Sequence, residues 1–132
     1  ATVDLCCIDL YAGVLEAMKL GAVATYILDE NGVELLQAAE VPAGVLEKVE
    51  PVLLSRKLWS DSQVVMISDG ILEALPGDDK ELVLKEYMEA LVYRNPQDLA
   101  ERILEFAMSF SEENRDDMTV LAASVWQRTP AT

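Results

Sequence analysis

The sequence predicts an α+β protein in which layered antiparallel β-sheets carry flanking helices. Short apolar stretches separated by turn signals fill the first half of the chain, as is typical of strands. Two consecutive helical patterns follow, and one more apolar strand comes after them. Strands joined by short turns favour antiparallel sheets. Helices confined to one stretch of sequence favour packing on a sheet face.

The first strands are separated by glycine-containing turns. The stretch "ATVDLCCIDLYAG" ends in the turn signal Ala12-Gly13, and "VLEAMKLGAVATYIL" reads as strand material interrupted at Gly21. An interior glycine of this kind predicts a bulge or a close backbone approach. "DENG", residues 29–32, predicts a hairpin turn through its Asn-Gly pair. "VELLQAAEV" then predicts a short strand and "PAGVLE", residues 42–47, a loop.

The middle of the chain predicts two more strands. "KVEPVLLSRKL" reads as a strand in which Pro51 indicates an edge position or a strand start. "WSDS" is a turn, and "QVVMIS" is a buried strand that ends at Asp69-Gly70 and leads into a short helical run, "ILEA". We expect Trp59 and Trp126 to be packing residues.

Two helices are predicted at 79–94 and 96–110, with apolar stripes that belong to the core rather than to an interface. Aspartates before the first helix suit an N-cap, and Pro96 suits the first turn of the second. The stripes are Leu82, Val83, Tyr87, Leu91 and Val92, then Leu99, Ile103, Phe106 and Phe110. After the acidic loop "SEENRDD", the segment "MTVLAASVW" predicts the last strand.

Composition excludes several classes of function. The net charge of -14 repels nucleic acid, which requires a basic face. No apolar run approaches the roughly 20 residues of a membrane span, and no basic region followed by an apolar one suggests a signal peptide, so we expect none. We therefore expect a cytoplasmic segment, which leaves open an anchor elsewhere in a longer parent protein.

The residue types also limit the chemistry. Cys6 and Cys7 are adjacent, so on a strand they point to opposite faces, and we expect them to be reduced. The chain has no histidine, which excludes histidine-based triads and zinc sites within it. Carboxylates remain, and these prefer hard cations such as Mg²⁺ or Mn²⁺.

Carboxylates occur at the ends of two apolar strands. Asp69 ends one, and the pair Asp116-Asp117 precedes another. If these strands are neighbours, the side chains can converge on a cation, and Gly70 would let the backbone pass close to it. The alternative is structural, because Asp-Gly is a common turn pair and aspartate is a common helix cap.

These motifs resemble a known family. "SDG" after an apolar strand, followed by "ILEA" and, after two helices, by "RDDMTVLAASV", resembles the C-terminal half of the metal-dependent protein phosphatases (the PPM or type 2C superfamily). The bacterial branch typified by stage II sporulation protein E is the closest match. "KLGAVATYIL", "VPAGVLE" and "LWSDSQVVMISDG" resemble further motifs of that branch, although Ala24 replaces a usual proline and Ser60 a usual glycine.

The resemblance implies a function. Such enzymes hydrolyse phosphoserine or phosphothreonine with a water that bridges two Mn²⁺ or Mg²⁺ ions. Asp69 and Asp116 match metal ligands of the family, Gly70 matches a structural glycine, and Asp117 stands where many relatives have asparagine. Asp4 and Asp9 lie in strand positions and are expected to be structural or surface residues, and Arg115 to be a solvated loop charge.

The resemblance also implies what the chain lacks. An upstream Asp-Gly segment, whose aspartate bridges both metals, is absent from these residues. We therefore expect residues 1–127 to be the C-terminal portion of a phosphatase domain truncated at its N-terminal side, with 128–132 as a tail. On this expectation the chain is inactive alone, binds metal weakly or not at all, and forms homodimers or swaps strands through its unpaired edges.

Two functional readings remain open. In the first, the chain is part of a phosphatase that acts on a phosphorylated anti-sigma factor antagonist in bacterial sporulation or stress signalling. In the second, it is a non-catalytic, phosphatase-like module that binds a partner. An unrelated acidic α+β protein is a third reading. The sequence does not identify the substrate, the regulatory input or the metal used.

Overall fold

The structure of the chain, a computed structural model, describes residues 3–20, 24–37, 52–110 and 117–126. The strands in these ranges are β1 (Val3–Asp9), β2 (Val14–Leu20), β3 (Thr25–Asp29), β4 (Gly32–Leu36), β5 (Val52–Lys57), β6 (Ser62–Ile67) and β7 (Val120–Val125). The helices are α1 (Asp69–Ala74), α2 (Lys80–Ala90) and α3 (Pro96–Met108).

The strands form two antiparallel sheets. The outer sheet has the order β1-β2-β5, and the central sheet has the order β4-β3-β6-β7. The helices pack on the face of the central sheet that is turned away from the outer sheet. The predicted class, α+β with layered antiparallel sheets and flanking helices, is therefore confirmed.

Two apolar layers hold this arrangement together. Between the sheets lie Leu15, Ala17, Ile27, Leu36, Leu58 and Val64. Between the central sheet and the helices lie Tyr26, Leu28, Val65, Ile67, Ile71, Leu84, Met88, Leu99 and Ile103, among others. Successive residues of β6 thus point into different layers, which explains why that strand is a continuous apolar run rather than an alternating one.

The predicted turns are present. In the β3–β4 hairpin, Asp29 pairs with Gly32, and the Asn31 amide donates to Asp29 Oδ1 at 2.8 Å. Gly32 has a φ of +123°, a backbone conformation that glycine adopts without strain. Asp61 in the turn before β6 has a φ of +71°, which aspartate tolerates better than most residues.

The stretch "VLEAMKLGAVATYIL" is strand material broken near Gly21, as predicted, but its two parts belong to different sheets. Its first part is β2 of the outer sheet and its last part is β3 of the central sheet, so the chain changes sheets between Leu20 and Thr25. Both strands are buried on at least one face, and their apolar patterns therefore merge in the sequence. The expected bulge at Gly21 and the loop at 42–47 lie outside the described residues.

Both helices are shorter than predicted. α2 ends at Ala90 rather than 94, because Leu91 is already extended and Asn95 must be extended before Pro96. The stripe predicted for α2 is also partly wrong. Leu84 and Met88 are its buried residues, whereas Leu82 is 44% exposed. α3 ends at Met108 rather than 110, and its face is buried as predicted at Leu99 and Ile103.

The predicted packing roles of the tryptophans are also wrong. Trp59 is 56% exposed and Trp126 is 69% exposed. Trp59 lies in the turn before β6, where Lys57 Nζ sits 4.6 Å from the centre of its ring. Separately, no helix in the described ranges is long and apolar enough to cross a membrane.

The buried face of α2 can be tested with two leucines on the same helix. Leu84→Ala should lower the free energy of unfolding by about 2 to 5 kcal/mol, because it leaves a cavity under a fully buried side chain. Leu82→Ala, the matched control, should change it by less than about 1 kcal/mol. Urea unfolding monitored by circular dichroism measures both values, and equal losses would contradict the assignment of the buried face.

Candidate metal centre

The two strands that carry the predicted carboxylates are neighbours. β6 pairs with β7, and the ladder runs to Ile67 opposite Val120. Ser68 extends the contact by one residue beyond the ladder. Its amide donates to the Thr119 carbonyl at 3.0 Å, and its hydroxyl accepts from the Thr119 amide at 2.8 Å. The same hydroxyl lies 3.3 Å from the Asp117 carbonyl, to which it donates.

Ser68 therefore connects the end of one strand to the segment that leads into the next. As the residue before α1, it stands at the N-cap position, where serine usually accepts a hydrogen bond from the helix. Its side chain makes no such cap, because its hydroxyl bonds to Thr119 and Asp117 instead. The helix start is thus tied to β7 rather than to its own first turn.

Asp69 is exposed and is the first residue of α1. Its position follows from β6, which is buried until Ile67 and then opens to solvent. A negative side chain in the first turn is also favourable toward the helix dipole, which is the structural role that competes with metal binding. Gly70 behind it is buried and helical, so its backbone conformation does not itself require glycine.

The other predicted ligand, Asp116, lies outside the described residues, as does Arg115. Asp117 is described and exposed. Within the described ranges, no three acidic or cysteine side chains group closely enough to hold a metal ion. The described residues therefore include one exposed carboxylate of the correct chemistry and the strand that follows the second, but no group of three possible ligands.

The two N-terminal aspartates have structural roles. Asp9 Oδ1 accepts from the amides of Tyr11 and Ala12 in the turn after β1. Asp4 forms an ion pair with Lys19 at 2.9 Å between the sheets. The sequence analysis missed Ser68, Lys19 and Thr25, because each depends on a partner far away in sequence. For Ser68, its place before Asp69 in "SDG" was the one available signal.

Comparison with known proteins identifies the family. The family profile described as "Stage II sporulation protein E (SpoIIE)" matches residues 1–126. The chain belongs to the SpoIIE family. It is 29% identical to stage II sporulation protein E of Bacillus subtilis (strain 168) and 28% identical to that of Priestia megaterium. Each alignment covers 98% of this chain, but only 16% and 23% of those proteins, respectively.

Solved structures of the family agree with the fold. The phosphatase domain of SpoIIE from Bacillus subtilis has a TM-score of 0.86 and 26% identity, and the match covers 100% of this chain and 61% of that chain. The same domain from a manganese-presoaked crystal has a TM-score of 0.86 and 27% identity, and the match covers 100% of this chain and 60% of that chain. The catalytic domain of the phosphatase PstP, in complex with two manganese ions, has a TM-score of 0.62 and 20% identity, and the match covers 96% of this chain and 59% of that chain. This similarity supports the fold alone.

These findings confirm the family and the PP2C-type phosphatase fold that the motifs implied. They also show that this SpoIIE-family chain spans less than two thirds of the phosphatase domain it matches.

The hydroxyl of Ser68 should control local order beside Asp69. In Ser68→Ala the Thr119 amide loses its acceptor, so its hydrogen exchange should become about five- to tenfold faster. Ser68→Thr keeps the hydroxyl and should restore the slow exchange. Ser55→Ala, a serine of β5 in the outer sheet, should leave Thr119 unchanged. Equal exchange in Ser68→Ala and the parent chain would contradict the role given to this side chain.

Proposed function

We propose that this chain supplies part of the divalent-metal site of a protein serine/threonine phosphatase. The observation that carries the proposal is the position of Asp69. It is exposed at the end of a strand that is buried at all but one of its positions, and Ser68 ties it to the start of β7. Carboxylate oxygens are the ligands that Mg²⁺ and Mn²⁺ prefer.

Asp69 and Asp116 are the proposed ligands, and Asp117 is not a direct one. When bound, Mn²⁺ or Mg²⁺ would lower the pKa of a bound water and offset the charge of a phosphate group. The two manganese ions in complex with the catalytic domain of PstP support this choice of metal. The chain's own contribution is to hold Asp69 in place beside the backbone of 117–119.

We further propose that the chain alone binds metal weakly and does not turn over substrate. The described residues contain no group of three metal-binding side chains. The match covers 61% of the SpoIIE phosphatase domain, which leaves room for further ligands in the remainder. A binuclear site, with its bridging ligand, would form only in a complete domain.

The proposed substrate is a phosphoserine or phosphothreonine protein in the cytoplasm, and by resemblance to the family an anti-sigma factor antagonist. The net charge of -14 disfavours a phosphoprotein at this surface. Metal ions at the site would reverse that repulsion locally, and turnover in the complete domain should therefore depend on bound metal at the encounter step as well as in the chemistry.

Metal binding at Asp69 can be tested by titrating the chain with Mn²⁺ in a calorimeter. We expect weak binding that falls by more than about tenfold in Asp69→Asn, because the ion loses a charged ligand. Asp78→Asn removes one charge from another exposed aspartate and should bind as the parent chain does. A phosphoserine peptide should not be hydrolysed by any of the three proteins.

Three results would contradict this proposal in different ways. Equal loss in both variants would show that Mn²⁺ binds through general negative charge. If the parent chain does not bind Mn²⁺, the proposed metal site is refuted and the alternative, a non-catalytic module that binds a partner, is favoured. Turnover of the peptide would show that the chain carries a complete site.

We also propose that this chain self-associates through the solvent-facing side of the outer sheet. Leu5, Met18 and Leu53 are register partners across β1, β2 and β5, and they form an apolar row on that face. Leu5 is 55% exposed and Leu53 is 77% exposed. They line an open groove of about 590 Å³ that also contains Cys7. Among the described strands, β1 and β5 are both sheet edges, which favours pairing with a second copy.

Sedimentation equilibrium tests this association. Dimerisation should strengthen as salt is added, because salt screens the repulsion between two highly negative chains. Leu53→Glu should give a monomer, whereas Leu10→Glu, at an exposed leucine in the turn after β1, should still dimerise. A compact monomer at all concentrations and salt levels would refute the proposal.

A further inference from the structure

Three polar side chains are hydrogen-bonded to one another between the two sheets. Lys19 Nζ donates to Asp4 Oδ1 at 2.9 Å and to Thr25 Oγ1 at 2.7 Å. The Thr25 hydroxyl donates to Asp4 Oδ2 at 2.9 Å. Lys19 is 1% exposed and Thr25 is fully buried. We call Asp4, Lys19 and Thr25 the buried triangle.

The buried triangle joins the sheets at one end. Asp4 and Lys19 are direct partners in the β1–β2 ladder of the outer sheet. Thr25 is the first residue of β3 in the central sheet. The buried hydrophobic cluster of this layer lies beyond them, toward the other end of the sheets. At the end near Thr25 the sheets are therefore joined by buried, directional polar bonds as well as by packing.

That end is the one that carries the candidate metal centre. Thr25 pairs with Met66 of β6, and Met66 pairs in turn with Leu121 of β7. Three residues after Met66 the chain reaches Asp69. The Arg56–Glu34 ion pair, which joins β5 of the outer sheet to β4 of the central sheet, lies further toward the β3–β4 hairpin and is about half exposed.

Stability alone does not account for a buried lysine. The desolvation penalty of burying a charged pair is about as large as the attraction between the two charges. Apolar residues of similar volume at such positions often give a protein of equal or greater stability. What such a set provides is specificity. A slip of β1 against β2 by one residue would turn a charged side chain to the other face and leave its partner buried and unpaired.

We propose that Lys19 and Thr25 are positioning residues for the metal centre. They fix the outer sheet against the central sheet at the end where β6 finishes, and they thereby hold Ser68 and Asp69 in register with β7. Lys19 does not contact the phosphate substrate, since it is enclosed between the sheets. The effect on the metal rests on the proposed function, whereas the effect on local order does not.

Hydrogen exchange of the metal-free chain tests the positioning role. Thr25→Val has nearly the same shape and removes the hydrogen bonds of the Thr25 hydroxyl to the outer sheet, leaving the Lys19–Asp4 pair in place. The Ser68 and Thr119 amides should then exchange about tenfold faster, because the bonds lost are of that magnitude. Arg56→Gln removes the half-exposed ion pair that joins β5 to β4 and should change the exchange of these two amides less than twofold, because exposed ion pairs contribute little to stability.

A second variant separates positioning from stability. Asp4→Leu/Lys19→Met/Thr25→Val replaces all three groups by apolar ones and should recover most of the global unfolding free energy. If the buried triangle positions the end of β6, exchange at Ser68 and Thr119 should stay fast in this variant. If it is merely structural, exchange and stability should recover together, and this result would overturn the proposal. Unchanged exchange in Thr25→Val would overturn it as well.

Mn²⁺ titration of Thr25→Val links this inference to the metal. We expect weaker binding than in the parent chain, with Arg56→Gln unaffected. One outcome is faster exchange in Thr25→Val with no Mn²⁺ binding by the parent chain. This outcome would refute the metal site but support the role of Thr25 in ordering the β6–β7 junction. Unchanged exchange with normal binding would keep the metal site and refute the positioning role.

Discussion

The enclosure of β6 is the constraint on which the rest of the structure depends. The strand has partners on both edges, β3 and β7, and it is covered on one face by the outer sheet and on the other by the helices. In a strand enclosed in this way, polar side chains can reach solvent only at the end of the strand. The chain leaves the core at Ile67, Ser68 bonds across to β7, and Asp69 is the first side chain in solvent. The site is thus a consequence of where the core stops.

Much of the fold is predictable from the sequence, because hairpin turns and apolar runs are local signals. The β3–β4 turn, β6, β7 and the start of α3 follow the predicted pattern. The place where the chain passes from one sheet to the other, between Leu20 and Thr25, was missed, since two buried strands in succession have one continuous apolar pattern. The buried face of α2 was also misjudged. Residues 82–84 are all apolar, so the sequence pattern is compatible with more than one buried face. Packing against the central sheet decides that Leu84 is the buried one. The tryptophans are exposed although their size suggested otherwise.

In the candidate site, too, the sequence predicts what depends on local signals and misses what depends on tertiary contacts. The motif "SDG" identified Asp69, but its structural support comes from tertiary contacts. Ser68 acts through Thr119 and Asp117, which lie about fifty residues away, and the sequence alone suggests only a helix cap. Asp4 could be expected to be structural, yet neither Lys19 nor Thr25 carries a sign of their shared bonds. Family membership adds the phosphatase-type fold, and the structure adds the Ser68 contacts that fix the backbone beside Asp69.

The central claim is that the end of β6, rather than the acidic surface as a whole, is where a divalent cation binds. Nuclear magnetic resonance of the chain with traces of paramagnetic Mn²⁺ tests it most directly, because signal broadening falls steeply with distance from the ion. The account predicts that the amides of Gly70 and Thr119 broaden first, and that Asp69→Asn abolishes this effect. Broadening that begins on the acidic faces of α2 and α3, or that is unchanged in Asp69→Asn, would contradict it.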